Sequence, residues 1–302
     1  MRKLLIIISI ILIIGGGLVF TTGFALNGFD IMVLSTDTKI ERKEQTFKEI
    51  NNIKIDESTN EIKIIKSNTD EYKINYGESE KTKYNIYVDE NNDLIIERKK
   101  IINFINFISQ KNNLILEVPE SFNKDLVINT STGNINIDVD NEINKLYLNF
   151  STADVKVSNI TCNDMIIDGS TGDTYISNVE VINNTEIDLS TGEAEIKGLD
   201  TTTLKVKVNT NGIELENVVA ERINLEASTG DIDFNNIEFK EMNIKTSTGD
   251  VEGSLNHPIN NYNITSHCST GENNLPSKLD GGIYTLNVQV STGDIEIKFS
   301  AN

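Results

Sequence analysis

Eight copies of one short motif end in an acid: Glu61, Asp154, Asp173, Glu193, Asp231, Asp250, Glu272 and Asp294. The motif is Ser-Thr-Gly-Asp or a near copy, beginning at Ser58, Ser131, Ser151, Ser170, Ser190, Asn209, Ser228, Ser247, Ser269 and Ser291, with Asn134 and Gly212 as the two non-acidic endings. Carboxylates at a fixed spacing can do two things. They can collect a hard, oxygen-seeking cation such as Ca²⁺, or they can accept hydrogen bonds from backbone N–H groups beside a turn. The candidate set for loose Ca²⁺ binding is Asp173, Glu193, Asp231, Asp250, Glu272 and Asp294. The spacing differs from the Gly-Gly-x-Gly-x-Asp nonapeptide of Ca²⁺-binding β-rolls, so turn support is the stronger expectation. No cofactor is expected beyond weak Ca²⁺. Neighbouring carboxylates about 5 Å apart in water repel by somewhat under ~1 kcal/mol, which a solvated face tolerates.

Other reactive chemistry is sparse. The chain has two histidines, His257 and His267, and no Ser/His/Asp set, His-rich metal motif or phosphate-cradling glycine loop. β-Helices that cleave polysaccharides build a groove from long loops. Here, after a 73-residue interval between Ser58 and Ser131, the loops between motifs are short and uniform, stretching only around His257-Pro258 and Leu275-Pro276. The expectation is a protein that is not an enzyme. Ice binding through threonine rows needs Thr-x-Thr on a strand face, whereas here each threonine is single and sits at a turn.

The elements that position these acids follow from the repeat. From Ser131 the motif returns at intervals of 20, 19, 20, 19, 19, 19, 22 and 22 residues. A short fixed period means stacked, near-identical units. Thr holds the second position in all ten copies, and Gly holds the third in seven, with Asn60, Asn211 and Ala153 in the others. Gly and Asn enter positive-φ conformations most cheaply, so this column marks a tight turn. Apolar residues alternate on both sides, as in Leu204, Val206, Ile213 and Leu215, the pattern of strands with one buried face. A second bend is expected 10 to 13 residues after the motif begins, as at Asn183-Asn184.

An up-and-down barrel and a solenoid both accept this pattern. Identical residues at identical positions favour the solenoid, where equal side chains ladder at about 4.8 Å. The expected fold is all-β: a β-solenoid of about ten Ser-Thr-Gly-Asp turns, right-handed as strand twist usually makes such coils, with Thr171, Thr191 and Thr229 in one file. Cys162 and Cys268 fall five to six turns apart, over ~20 Å at that rise. A disulfide needs Cα atoms within about 7 Å, so two free thiols are expected.

The ends set the organisation. Leu4 to Phe29 is 26 residues without a charge, preceded by Arg2 and Lys3, long enough for a transmembrane helix with a cytoplasmic N-terminus. A cleaved signal peptide ending near Gly23-Phe24-Ala25 is the alternative. Residues 1–29 are read as the anchor, 30–44 as a polar tether, 45–127 as an irregular β cap holding the first solenoid turn, and 128–302 as the repeat domain. In the cap, Asp89 to Asp93 reads as a hairpin loop and Ile101 to Ile108 as a short helix or flap. The last strand, Asp294 to Phe299, is expected to leave an open sheet edge guarded by charge. A net charge of −19 argues against nucleic acid and points to cations or basic surfaces. The expected location is the cell membrane, single-pass, with the C-terminal domain extracellular.

An apolar N-terminal segment ending Gly-Phe-Ala-Leu-Asn-Gly-Phe-Asp, a polar stretch and serial Ser-Thr-Gly-Asp-Ile strands resemble a bacterial family labelled "putative adhesin", a domain of unknown function. The resemblance spans essentially residues 1–302. It implies a β-solenoid displayed from the envelope, with the membrane and a cell-wall polymer or envelope protein as partners. It implies no catalytic residues. Its other implication is a structural or regulatory ectodomain acting in envelope stress through a membrane partner.

Overall fold

The computed structural model describes residues 39–80, 82–99 and 112–301. They form an all-β solenoid whose strands stack in parallel, with one 3-10 turn at Ile259–Asn261. Residues 1–29, most of the tether and Ile101 to Ile108 lie outside the described residues. Among those described, no helix is long and apolar enough to cross a membrane.

Alternation and stacking build the core together. Leu204, Val206, Val208 and Thr210 pair with Ile223, Leu225, Ala227 and Thr229 one level on. The inward residues of every level are buried and join one continuous core from Ile50 to Ile297. Each fully buried aliphatic side chain contributes roughly 1.5–3 kcal/mol relative to exposure. Pairing is parallel from level to level, which excludes the barrel. Thr171, Thr191, Thr210 and Thr229 are successive register partners, so the threonines do form one file.

Each coil bends at three places. The tetrad is the first. Its glycines take φ of 128° at Gly172, 144° at Gly192 and 142° at Gly230, as the Gly/Asn column requires. The second is a left-handed corner eight residues after the tetrad begins, at Asn159, Asn178, Gly198, Asn217 and Asn236, with φ between 52° and 75°. This corner was not among the expected bends, although Asn or Gly followed by Ile, Val or Leu recurs there in the sequence. The third is a break in register between Cys162 and Asp164 and between Val181 and Asn184, where the second bend was expected.

The ends depart from simple succession. Strand Ile53–Glu57 stacks on Leu126–Thr130, and strand Glu61–Lys66 on Ile135–Asp138, so the first tetrad lies directly on the second. On their far sides lie Leu94–Arg98 and Asn113–Val118, which bring the antiparallel strands Tyr84–Val88 and Tyr72–Glu78. The hairpin at Asp89 to Asp93 is present, closing Val88 onto Leu94. Glu41–Phe47 pairs antiparallel with Tyr72–Glu78, so the tether expected to reach residue 44 gives way to strand at Glu41.

At the other end the order of levels is exchanged. Glu241–Thr248 pairs with Tyr284–Thr292, which in turn pairs with Tyr262–Thr270. The last repeat is thus inserted between the two before it. The open edge expected at the final strand is not there: Ile295–Phe299 pairs with Val251–Leu255 on one side and meets Asn273 and Asn274 on the other. Ten tetrads stack at this corner, yet complete coils number about eight rather than ten, because the terminal levels are assembled from segments distant in sequence.

Candidate functional site

The six acids singled out by the sequence stand in one file, and the structure shows what their carboxylates do. The backbone N–H of each level donates to the carboxylate or amide oxygen of its neighbour: Asp154 to Asn134 Oδ1 at 3.1 Å, Asp173 to Asp154 at 3.3 Å, and Glu193 to Asp173 at 2.9 Å. Beyond a gap at Gly212, Asp250 donates to Asp231 at 2.8 Å, Asp294 to Asp250 at 2.7 Å and Glu272 to Asp294 at 2.7 Å. The acceptors are all Asp or Asn, whose short side chain reaches one level. Glu193 stands before the gap and Glu272 ends the file, and neither accepts such a bond among the described residues. The choice of Asp or Glu at this position therefore follows the ladder.

One oxygen of each accepting carboxylate is committed to this ladder. Among the described residues no three His, Cys, Asp or Glu side chains converge into a group that could hold a metal ion.

A second acidic column runs beside the first, two residues on, through Glu195, Glu214, Asp233 and Glu252. Burial, then the neighbouring acids Glu252, Asp231, Glu214 and Asp250, raise the Asp233 carboxyl above its ordinary range. Glu193 is raised for the same reasons, burial first and then Asp173. Elsewhere along the coils lysines sit over acids of the adjacent level, as in Lys205–Glu186 at 2.5 Å and Lys245–Glu226 at 3.7 Å.

A different site lies on the short strand face between the Asn/Gly corner and the register break. Here Val181, Thr201 and Ala220 are successive partners. The small inward groups at the last two levels leave a trough of about 450 Å³. On one rim Glu180, Asp200, Val219 and Glu238 follow one another level by level. Two large apolar side chains stand open to solvent beside it, Ile182 at 54% exposure and Val219 at 42%. The far wall is aromatic: His257 stacks on Tyr284 with ring centroids 4.9 Å apart and planes within 11°, backed by Phe239 and Tyr262. In the sequence His257 stands out only as one of two histidines, beside Pro258 in a longer inter-motif loop. The ring that completes the wall arrives because the Tyr284 strand is inserted beside Glu241–Thr248.

Opposite the trough's end of the stack, Glu57 closes the cap. Its side chain is fully buried and meets Arg98 at 2.8 Å. It also accepts from the backbone N–H of Ser58 at 2.7 Å and of Thr59 at 3.1 Å, and from the Tyr84 hydroxyl. The carboxylate thus satisfies turn amides of the first tetrad. A buried charge with a cation and several donors is tolerated, and this one serves structure. Cys162 and Cys268 are both free, and burial pushes the Cys162 thiol up to about 12.

With this geometry in hand, comparison with known proteins is informative about fold. The profile of the family described as Toastrack DUF4097 matches residues 50–217 and 182–302. No curated protein matches the chain. A crystal structure described as a "putative lipid binding protein" from Parabacteroides distasonis is similar at TM-score 0.54 and 12% identity, covering 88% of this chain and 98% of that one. One described as a "putative adhesin" from Parabacteroides merdae is similar at TM-score 0.50 and 12% identity, again over 88% of this chain and 98% of that one. At such identities the likeness concerns the fold alone.

Proposed function

The chain belongs to the Toastrack DUF4097 family, and from that premise we propose that it is a non-catalytic binding and scaffolding surface of the bacterial cell envelope. In this reading residues 1–29 anchor it in the membrane and the solenoid faces outward, toward a cell-wall polymer or an envelope protein. The observation that carries the reading is the repetition of outward positions. Each level presents the same file of side chains at about 4.8 Å intervals, held by parallel pairing such as that of Ala194–Thr210 with Ile213–Thr229. Such a rigid, repetitive face is suited to extended partners. One oxygen of each accepting Asp in the ladder is taken by a backbone amide of the next level, which supports a structural role for that file.

The test is retention of isolated wall polymer and of solubilised envelope protein on the immobilised full-length chain. Saturable retention of either supports the reading. Retention of neither, together with a changed envelope-stress response when residues 1–29 are exchanged for an unrelated anchor, would establish the regulatory ectodomain in its place.

A further inference from the structure

Three features of the trough describe its occupant. First, three of its four carboxylates are uncompensated: among the described residues no lysine or arginine pairs with Glu180, Asp200 or Glu238, while Glu221, also in the lining, is held by Lys240. Second, Ile182 and Val219 expose apolar surface beside those carboxylates. Third, the aromatic wall offers the flat face of a stacked pair, His257 and Tyr284. Acid, aliphatic surface and aromatic plane within one depression match a side chain with an apolar stem and a cationic head. Lysine and arginine lay their stems along apolar surface while the charge seeks polar partners, and arginine also stacks on aromatic rings.

The backbone decides how such a partner is held. Strands on both sides of the floor are fully paired, Val179 to Val181 with Leu199 to Thr201 and these with Val218 to Ala220. Among the described residues the Leu199 to Thr201 segment at the floor is paired on both edges, so recognition there runs through side chains. We propose that the trough binds a basic, extended segment of an envelope protein. Lys or Arg stems cover Val219 and Ile182, their heads meet Glu180, Asp200 and Glu238, and a guanidinium packs at the His257–Tyr284 wall. The net charge of −19 favours a cation over a neutral glycan and disfavours an anionic one. This inference rests on the binding-surface reading and supplies its partner class.

The experiment uses the full-length chain in detergent micelles, with labelled hexa-arginine and hexalysine as probes, chitohexaose as the neutral saccharide, and near-physiological salt. Binding of the basic peptides is expected, with at least about a tenfold loss in Val219→Lys and in the Glu180→Gln/Asp200→Asn pair. Both substitutions fall on exposed side chains, and circular dichroism verifies the fold. A second pair, Glu214→Gln/Glu252→Gln, removes the same charge from the other acidic face and is expected to leave binding within about twofold. Equal losses in both pairs would mean diffuse attraction to a negative protein and would overturn the proposal. So would chitohexaose binding without peptide binding. If the peptides fail while wall polymer or envelope protein is retained undiminished by Val219→Lys, the trough assignment falls and the broader function stands. If nothing is retained, both fall.

Discussion

The backbone N–H of Asp294 donates to the Asp250 carboxylate at 2.7 Å across 44 residues of chain, and Glu272, which lies between them in sequence, sits outside both in the stack. This one bond records the exchange of the last two levels. Ordinary succession would place the 262–270 strand against 241–248 and leave the 284–292 strand at the edge.

The exchange is testable by cross-linking. Thr248 and Thr292 are register partners on adjacent strands, whereas Thr270 lies one level further. Parallel neighbours are about 4.8 Å apart, within the reach of a disulfide, and twice that exceeds its limit of about 7 Å. With Cys268 replaced by Ser, Thr248→Cys/Thr292→Cys should oxidise to a bridge and Thr248→Cys/Thr270→Cys should not. The reverse pattern, read by peptide mapping, would restore sequential order.

The two positive-φ columns should respond differently to substitution. At Gly192 φ is 144° and a Cβ would lie 1.9 Å from the Gly172 carbonyl oxygen, so Gly192→Ala should lose about 2 kcal/mol or more. Gly198, at φ 75°, has nothing nearer than 3.3 Å and occupies the corner where other levels carry Asn. Gly198→Asn should be neutral or stabilise by up to about 1 kcal/mol, through the unfolded chain. Urea midpoints of the two variants decide the matter.

Thr174 is a polar residue in the apolar column between Val155 and Ala194, fully buried, and among the described residues its hydroxyl has no hydrogen-bond partner. An unpaired buried hydroxyl costs about 1–3 kcal/mol. Thr174→Val keeps the shape and removes the orphan, so thermal unfolding should move upward by roughly 1 kcal/mol equivalent. A loss of stability would show that the hydroxyl is satisfied after all.

The ladder predicts a contrast between Asp and its closest relatives. Asp250→Asn retains an oxygen acceptor for the Asp294 N–H and should be neutral or mildly stabilising. Asp250→Glu overshoots the level and should lose about 1 kcal/mol. Millimolar Ca²⁺ should shift melting no more than Mg²⁺ at equal ionic strength, since the carboxylates are laddered and not gathered. A Ca²⁺-specific shift abolished by Asp250→Asn would reinstate the ion site.

Stability should have two limbs against pH. Burial raises Glu193 and Asp233. A carboxyl raised in the folded state contributes stability below its unfolded value, and loses it as pH rises through the folded one. Glu193→Gln/Asp233→Asn should therefore raise the melting temperature at pH 7 and flatten the upper limb. Glu78 goes the other way. Burial opposes its ionisation, but the Tyr84 N–H, Lys43 and Lys83 outweigh burial and hold it at about 2 instead of 4.5. Its contribution is complete above about pH 4.5 and disappears toward pH 2. Melting of Glu78→Gln from pH 7 to 2 should show a shallower acid limb than the parent chain, and an unchanged limb would place the acid lability elsewhere.

The sequence by itself determined the level: its length, its threonine file, the glycine turn, the apolar alternation and the position of the acids. Each is a local demand, repeated often enough to be read from Thr171, Thr191 and Thr229 or from Gly172, Gly192 and Gly230. Even the Asn178–Gly198–Asn217 corner was legible as a column of Asn and Gly. Only the tertiary structure decided which level lies beside which. Near-identical rungs hydrogen-bond equally well to any neighbour, so periodicity carries no information about order. The choice falls to the longer segments around His257 and Leu275, and to rings such as Tyr262 and Tyr284 that must pack together. The trough wall inherits that decision, because Tyr284 reaches it from the exchanged strand.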